Sequence, residues 1–289
     1  MLRVWFFFFL VLFALSGRDI VSAQSLEIAS QEETVLKPSR IISANFCSDE
    51  LLIRLADRER IVAITRYSKD QVFSPITDEV KGIPMIRGDA EEIMVLKPDL
   101  VFAGPFTRRQ TIQFLEKLGV RVVSVPIPKN FDEIRDMIRQ MAEVLQEKER
   151  GEEIIREINE RLGHIARPQS GRSAVFWGIR GSVPGKDTFE HSILTEAGAE
   201  NIAVRTGAKG HQLMSVETLI VQQPDLIILS DVWRHTRTER RDILNHPAIR
   251  KALPGVKVIE LPACLLNCGS PRSVEAVEKI SGALSGISR

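Results

Sequence analysis

The sequence predicts an α/β protein made of two lobes with mostly parallel sheets, and three observations support this prediction. Apolar runs of strand length alternate with amphipathic helical stretches, a pattern typical of parallel strands joined by helical crossovers. A long charged helical passage separates a first block of such units from a second. A motif of the first block also returns in the second at a constant spacing.

The first 23 residues have the pattern of an export signal. Arg3 precedes the apolar run Val4–Leu15, which is shorter than the roughly 18 residues that a bilayer span needs. Val21, Ser22 and Ala23 then form a small-residue cleavage pattern. A buried helix or an uncleaved anchor is the alternative. Since no cysteine lies at the cleavage site, we expect a mature chain without a lipid anchor. The full sequence has a formal net charge of +1, and the signal contains two arginines and one aspartate. Its removal therefore leaves a mature chain with no formal net charge.

The remaining chain alternates between the two kinds of element. Strands are predicted at residues 40–44, 61–65, 100–103, 121–127, 173–177, 225–230 and 256–261, with helices at 48–56, 107–118 and 192–197. In the middle, Asn130 begins a capping pattern with Glu133, and helical periodicity continues almost to Ala166, with a break expected at Lys148–Gly151. We therefore predict an N-terminal lobe at 24–148, a long connecting helix at 149–170 and a C-terminal lobe at 171–289.

An internal repeat favours two similar lobes. Residues 91–101 resemble residues 217–227 at an offset of 126, and each copy predicts a helix, a Pro-Asp turn and a buried strand. Because many αβ units contain a Pro-Asp turn, a chance match is the alternative, but the constant offset favours a duplicated architecture. The identical or similar pairs are Glu91/Glu217, Ile93/Leu219, Pro98/Pro224, Asp99/Asp225 and Leu100/Leu226.

Motifs of catalysis are missing from this chain. It contains no G-x-S-x-G elbow, P-loop, H-E-x-x-H or strand-linked G-x-G-x-x-G, and its five histidines lie at least 11 residues apart. We therefore assign no catalytic residue, no metal site and no resident cofactor, and the balanced charge argues against nucleic acid as a partner. Three cysteines in an exported chain predict one disulfide and one free thiol, but the pairing among Cys47, Cys264 and Cys268 stays open.

Aromatic and arginine residues recur where the predicted strands end. Ligands of open parallel sheets bind at the carboxyl ends of strands, and aromatic faces beside guanidinium groups suit a large, partly flat, anionic ligand. The alternative is that the aromatics cover the sheet ends and the arginines are only solvated. Taken as a set, these residues predict a binding cleft between the lobes. The candidates are Phe46, Arg66, Tyr67, Phe106, Arg108, Trp177, Arg180, Trp233 and Arg234.

A wider resemblance rests on several segments in a fixed order. They are Pro38–Leu52, Ile61–Ser68, Glu91–Phe102, Leu118–Val123, Ser215–Ile228 and Cys268–Pro271. In order and spacing they resemble the periplasmic substrate-binding proteins of ABC importers for iron–siderophores, heme and cobalamin, over essentially the whole mature chain.

The resemblance implies two αβ lobes joined by one long helix, with the ligand clamped between them and limited hinge motion. It implies that Glu91 and Glu217 dock on arginines of a membrane permease, and it puts Tyr67 near the ligand. Partner ATPase subunits would supply the energy, and we expect a periplasmic monomer. Tyr67 suits a heme iron, whereas the strand-end arginines suit a carboxylate- or catecholate-bearing siderophore, so the chelate stays open.

The function expected from the sequence is therefore the substrate-binding component of an ABC importer for a metal chelate. An exported αβ enzyme or a chelate-processing protein on the same two-lobe scaffold is the main alternative, because fold does not fix function. A sensory or scaffold module is a third.

Overall fold

The computed structural model describes residues 36–166, 171–231 and 247–287. The expected export signal at 1–23 and the candidates Trp233 and Arg234 lie outside these ranges. From Pro38 onward the chain packs as one compact unit. Across the described ranges, none of the helices has the length and hydropathy that crossing a bilayer requires.

The first lobe is a five-stranded parallel sheet in the order β3-β2-β1-β4-β5. Alternate residues of its central strands enter different apolar clusters: Ile41 and Leu100 pack on one face, and Ile42 and Val101 on the other. Helices therefore cover both faces, as expected for buried parallel strands. The elements are β1 (Ile41–Ser43), α1 (Phe46–Leu55), β2 (Ile61–Thr65), β3 (Met85–Ile86), α2 (Ala90–Val95), β4 (Leu100–Ala103), α3 (Arg109–Lys117) and β5 (Arg121–Ser124).

Two helices connect the lobes: α4 (Phe131–Leu145) and α5 (Lys148–His164). Asn130 caps α4, its side chain accepting a 2.8 Å hydrogen bond from the Glu133 backbone N–H. The chain turns at Gln146, which has left-handed backbone angles. The break was expected at Lys148–Gly151, but the observed break precedes Lys148, where α5 begins. Gly151 instead lies inside α5, where a Cβ atom would come within 2.6 Å of the Ala142 Cβ. It therefore permits the close approach of α4 and α5.

The second lobe is a four-stranded parallel sheet in the order β11-β10-β6-β8, beside an antiparallel pair of β7 and β9. The Arg161 guanidinium of α5 donates to both oxygens of Glu278 at 2.9 and 2.8 Å and so fastens the connector to this lobe. The elements are β6 (Ser173–Phe176), β7 (Ser182–Pro184), α6 (Phe189–Glu196), β8 (Glu200–Asn201), α7 (Ile202–Arg205), β9 (His211–Leu213), α8 (Val216–Gln222), β10 (Leu226–Ser230), α9 (Pro247–Ala252), β11 (Lys257–Leu261) and α10 (Val274–Ser285).

The two copies of the internal repeat have the same local structure. Each short helix, α2 or α8, is followed by a residue with positive φ, Lys97 at 48° and Gln223 at 44°. In the first Pro-Asp turn, Asp99 accepts hydrogen bonds from the N–H and hydroxyl of Ser39, just before β1. In the second, Asp225 accepts the same two hydrogen bonds from Ser173, at the start of β6. Residues separated by 126 positions thus occupy equivalent places in the two lobes.

Candidate functional site

Aromatic side chains gather at the carboxyl ends of β1, β2 and β4. Phe46 begins α1, and its ring centroid lies 5.8 Å from that of Tyr67 and 6.4 Å from that of Phe106. Phe73 meets the Tyr67 ring edge-on at 5.8 Å. The guanidinium carbon of Arg66 lies 5.5 Å from the Tyr67 ring centre. We call Phe46, Tyr67, Phe73 and Phe106 the aromatic surface, and its tilted and offset contacts are those that aromatic rings favour.

A buried carboxylate holds the turn that carries Arg66 and Tyr67. Asp49 of α1 accepts hydrogen bonds from the Thr65 N–H at 3.2 Å, the Thr65 hydroxyl at 2.5 Å and the Ser68 hydroxyl at 2.6 Å. Burial raises the pKa of Asp49 to about 6, because desolvation outweighs the hydrogen bonds that favour the ionised form. The turn is therefore fixed at both of its ends to one side chain.

A cavity of about 570 Å³ opens between the lobes, next to the aromatic surface. Phe73 is its lining residue from the first lobe, and the second lobe supplies the carboxyl ends of β6 and β10. Its size falls within the range of small-molecule sites, roughly 300–1,000 Å³. The second-lobe lining residues are Phe176, Trp177, Gly178, Ile179, Ser182, Pro184, Glu190, His211, Ile228, Ser230, Leu266 and Asn267.

One ionisable pair lies in the wall of this cavity. Glu190, in the first turn of α6, has its Oε1 atom 3.9 Å from His211 Nε2. Burial raises the pKa of the Glu190 carboxyl. In the described part of the chain no group of three histidine, cysteine or acidic residues is placed to hold a metal ion.

The structure brings together only some of the residues predicted from the sequence. Phe46, Arg66, Tyr67 and Phe106 form one surface, and Trp177 lies in the cavity wall with its side chain almost fully buried. Arg108 is exposed and forms an ion pair with Asp89 at 2.9 Å, and Arg180 is exposed in a positive-φ turn. Neither of these two arginines is among the residues that line the cavity.

Sequence reasoning missed Phe73, Glu190 and His211. Phe73 lies in the loop between β2 and β3, away from any strand end. The one sequence feature that could have pointed to it is the scarcity of aromatic residues outside the export segment. Glu190 and His211 are separated by 21 positions, and only the packing of β9 beside the start of α6 brings them together.

A covalent and an ionic link cross from one lobe to the other beside the cavity. Cys47 of α1 forms a disulfide with Cys268 of the second lobe, with the Cα atoms 5.1 Å apart. Arg272 donates to the Glu79 carboxylate, and its Nε lies 3.6 Å from Oε1 of the buried Glu50. We call these contacts the interlobe strap. Cys264 is the free thiol, and burial raises its pKa to about 11.

Known proteins share this architecture. The Vibrio cholerae heme-binding protein HutB superposes with a TM-score of 0.73 at 20% identity, covering 85% of this chain and 98% of that one. The vitamin B12-binding protein BtuF of the same species gives 0.61 at 21% identity, covering 86% and 97%.

Curated sequences are similar over most of the chain. A cobalamin-binding protein of Halobacterium salinarum is 24% identical over 257 residues, which is 86% of this chain and 69% of the relative. The vitamin B12-binding protein of Salmonella typhimurium is 26% identical over 235 residues, or 78% and 83%. The family model described as periplasmic binding protein matches residues 41–263. This chain therefore belongs to the periplasmic binding protein family, with the two-lobe α/β fold that its sequence predicts.

Proposed function

We propose that this chain is the substrate-binding component of an ABC importer that captures a metal chelate between its lobes and delivers it to a membrane permease. The observation that carries the proposal is the aromatic surface, which is joined through Phe73 to a cavity of ligand size. Cobalamin, heme and ferric siderophores are the candidate chelates, and the names of the relatives support the first two.

The physical basis is the match between a rigid aromatic wall and a flat, conjugated ligand. Tyr67 and Phe106 have exposed fractions of 42% and 71%, so their faces are available for stacking. Since the Tyr67 turn is fixed by Asp49, little conformational freedom would be lost when a ligand binds.

The chain would act as a periplasmic monomer, exported by its cleavable signal and without a lipid anchor or resident cofactor.

The first test is a binding titration followed by tryptophan fluorescence, to which Trp177 in the cavity wall contributes. We expect cyanocobalamin, hemin or a ferric siderophore to quench it saturably, with sub-micromolar affinity. A Tyr67→Ala variant should bind about tenfold more weakly, a change of about 1.4 kcal/mol. Phe114→Ala, which removes an exposed aromatic residue of α3 outside the aromatic surface, is the matched control. If none of the chelates binds saturably, the proposed ligand class is wrong.

Docking on the permease would use the two copies of the repeat. Glu91 and Glu217 are both exposed in the first turn of their helices, and each is followed four positions later by an exposed valine, Val95 or Val221. A repeated surface of this kind suits a partner made of two similar halves, with cationic groups that meet the two carboxylates. Transport energy would come from the partner's ATPase subunits.

Charge reversal tests this docking. We expect the double variant E91K/E217K to keep its chelate affinity and to lose uptake in cells, because two attractive contacts become repulsive. The control is E116K/E160K, which reverses two exposed glutamates outside the repeat. Normal uptake by E91K/E217K would remove the docking role of these residues.

An exported enzyme or chelate-processing protein on the same scaffold is the competing function. The two are separated by incubating the purified chain with a bound chelate and analysing the product by mass spectrometry. Recovery of the unchanged chelate supports a binding protein, and catalytic turnover would support the enzyme.

A further inference from the structure

Glu190 projects from a fixed backbone into the wall of the interlobe cavity. Thr188 caps the start of α6, its hydroxyl accepting from the His191 N–H at 3.2 Å and donating to the Gly185 carbonyl at 2.7 Å. Glu190 follows Thr188 by two residues, and its side chain is only 22% exposed. A carboxyl group is thus held at one place in a largely apolar wall, whose lining residues include Phe176, Ile228 and Leu266.

The described wall of the cavity offers no counter-charge of lysine or arginine. Its other polar lining side chains are Ser182, Ser230, Asn267 and His211. The Nε2 atom of His211 lies 3.9 Å from the Glu190 carboxylate, and the His211 side chain is 60% exposed. Within the described residues the cavity lining therefore carries one carboxyl group and no lysine or arginine.

The Glu190 carboxyl group would discriminate among the candidate chelates by the charge and hydrogen-bonding groups of their periphery. A ligand carboxylate or ionised catechol beside Glu190 meets a like charge in a partly desolvated site, which is unfavourable. A ligand amide N–H instead donates a charge-assisted hydrogen bond to the same oxygen, and such bonds are stronger than those between neutral groups.

We propose that Glu190 is a specificity-determining residue of the cleft, selecting chelates whose periphery carries amide donors over chelates that carry carboxylates or catecholates. The inference rests on the proposed function and sharpens it, since it orders the three candidate chelates. Cyanocobalamin has a periphery of amides, hemin carries two propionates, and a ferric tris-catecholate is strongly anionic.

The test compares dissociation constants for these three probes by equilibrium dialysis, using the full mature chain. We expect the wild type to bind cyanocobalamin at least tenfold more tightly than hemin or the tris-catecholate. The near-isosteric E190Q should narrow this difference, and E190K should favour the anionic probes. E196Q, on the same helix but away from the cavity, should leave the preference unchanged, and thermal unfolding of each variant verifies that it is folded.

The possible results separate this inference from the function on which it depends. Preference of the wild type for hemin or the tris-catecholate would overturn the role of Glu190 while leaving a chelate-binding protein. An unchanged preference in folded E190Q and E190K would overturn it as well. Failure of all three probes to bind would instead contradict the proposed function, and the inference would fall with it.

Discussion

Asp49 shows how one buried residue can organise a binding surface that it does not itself form. It belongs to the same helix turn as Phe46 and Cys47, and it accepts from Thr65 and Ser68 on either side of Tyr67. We expect Asp49→Asn to lower chelate affinity about tenfold, because an amide cannot accept all three hydrogen bonds and the Tyr67 turn shifts. Titration measures the affinity, and Glu59→Gln, an exposed acidic site between α1 and β2, is the control. Unchanged affinity in D49N would show that Asp49 does not position Tyr67.

The same carboxyl group predicts a pH dependence of stability. Its folded pKa of about 6 lies above the ordinary aspartate pKa of 3.8, so folding favours the protonated form. The resulting stabilisation is fully present below pH 3.8 and is lost as the pH rises through about 6. Relative to D49N, the wild type should therefore lose at most about 3 kcal/mol of unfolding free energy between pH 4 and 7, at about 1.4 kcal/mol per pKa unit. Urea denaturation of both proteins at each pH measures this difference, and a constant difference would contradict the raised pKa.

At the scale of elements, the repeat places α2 and α8 as equivalent helices with equivalent exposed faces. Val95 is 79% exposed and Val221 is 77% exposed, although valine is a residue that is more often buried. Because each follows its glutamate by one helical turn, acid and apolar group lie on the same side of the helix. The repeated pair therefore extends the proposed docking surface beyond charge alone.

Loss of the two valines should weaken docking without affecting ligand capture. We expect V95S/V221S to bind the nanodisc-embedded permease at least tenfold more weakly, since burying a valine contributes roughly 1.5 kcal/mol or more. Chelate affinity should stay at the wild-type value. F114S/L118S removes two other exposed apolar residues and serves as the control. Equal permease binding by the two double variants would show that the valines make no contact.

For the whole molecule, the interlobe strap limits how the two lobes can separate. The disulfide joins residues 221 positions apart, and Arg272 adds ionic contacts to Glu79 and Glu50 on the first lobe. Leu266 and Asn267, just before Cys268, also line the cavity. Movement of the strap would therefore change the shape of the cavity directly.

Removal of the disulfide should affect both stability and ligand retention. We expect C47S/C264S/C268S to lose roughly 2–5 kcal/mol of unfolding free energy relative to C264S, because the cross-link restricts the unfolded chain. The chelate should also dissociate faster from the triple variant, because the lobes separate more readily. Denaturation and stopped-flow displacement measure the two effects. Identical dissociation rates would mean that the disulfide stabilises the fold but does not control the cleft.

Local sequence patterns were sufficient for most of the architecture. All seven predicted strands are present, two with the predicted bounds and the others within three residues of their predicted ends, because alternating runs of strand and helix length encode elements locally. The short strands β3, β7, β8 and β9 were missed, since two or three residues carry no periodic signal. The break between α4 and α5 was misplaced because Gly151 suggested a turn, whereas the glycine permits helix packing.

The sequence by itself determined the fold class, the repeat, and the strand ends at which Phe46, Tyr67 and Trp177 lie. Only the tertiary structure decided that Phe73 completes the aromatic surface, that Glu190 faces the cavity, and that Cys47 pairs with Cys268. The physical reason is the range of the interactions. Strands and helices depend on neighbours a few residues apart, whereas the cleft and its strap depend on contacts between residues far apart in the sequence.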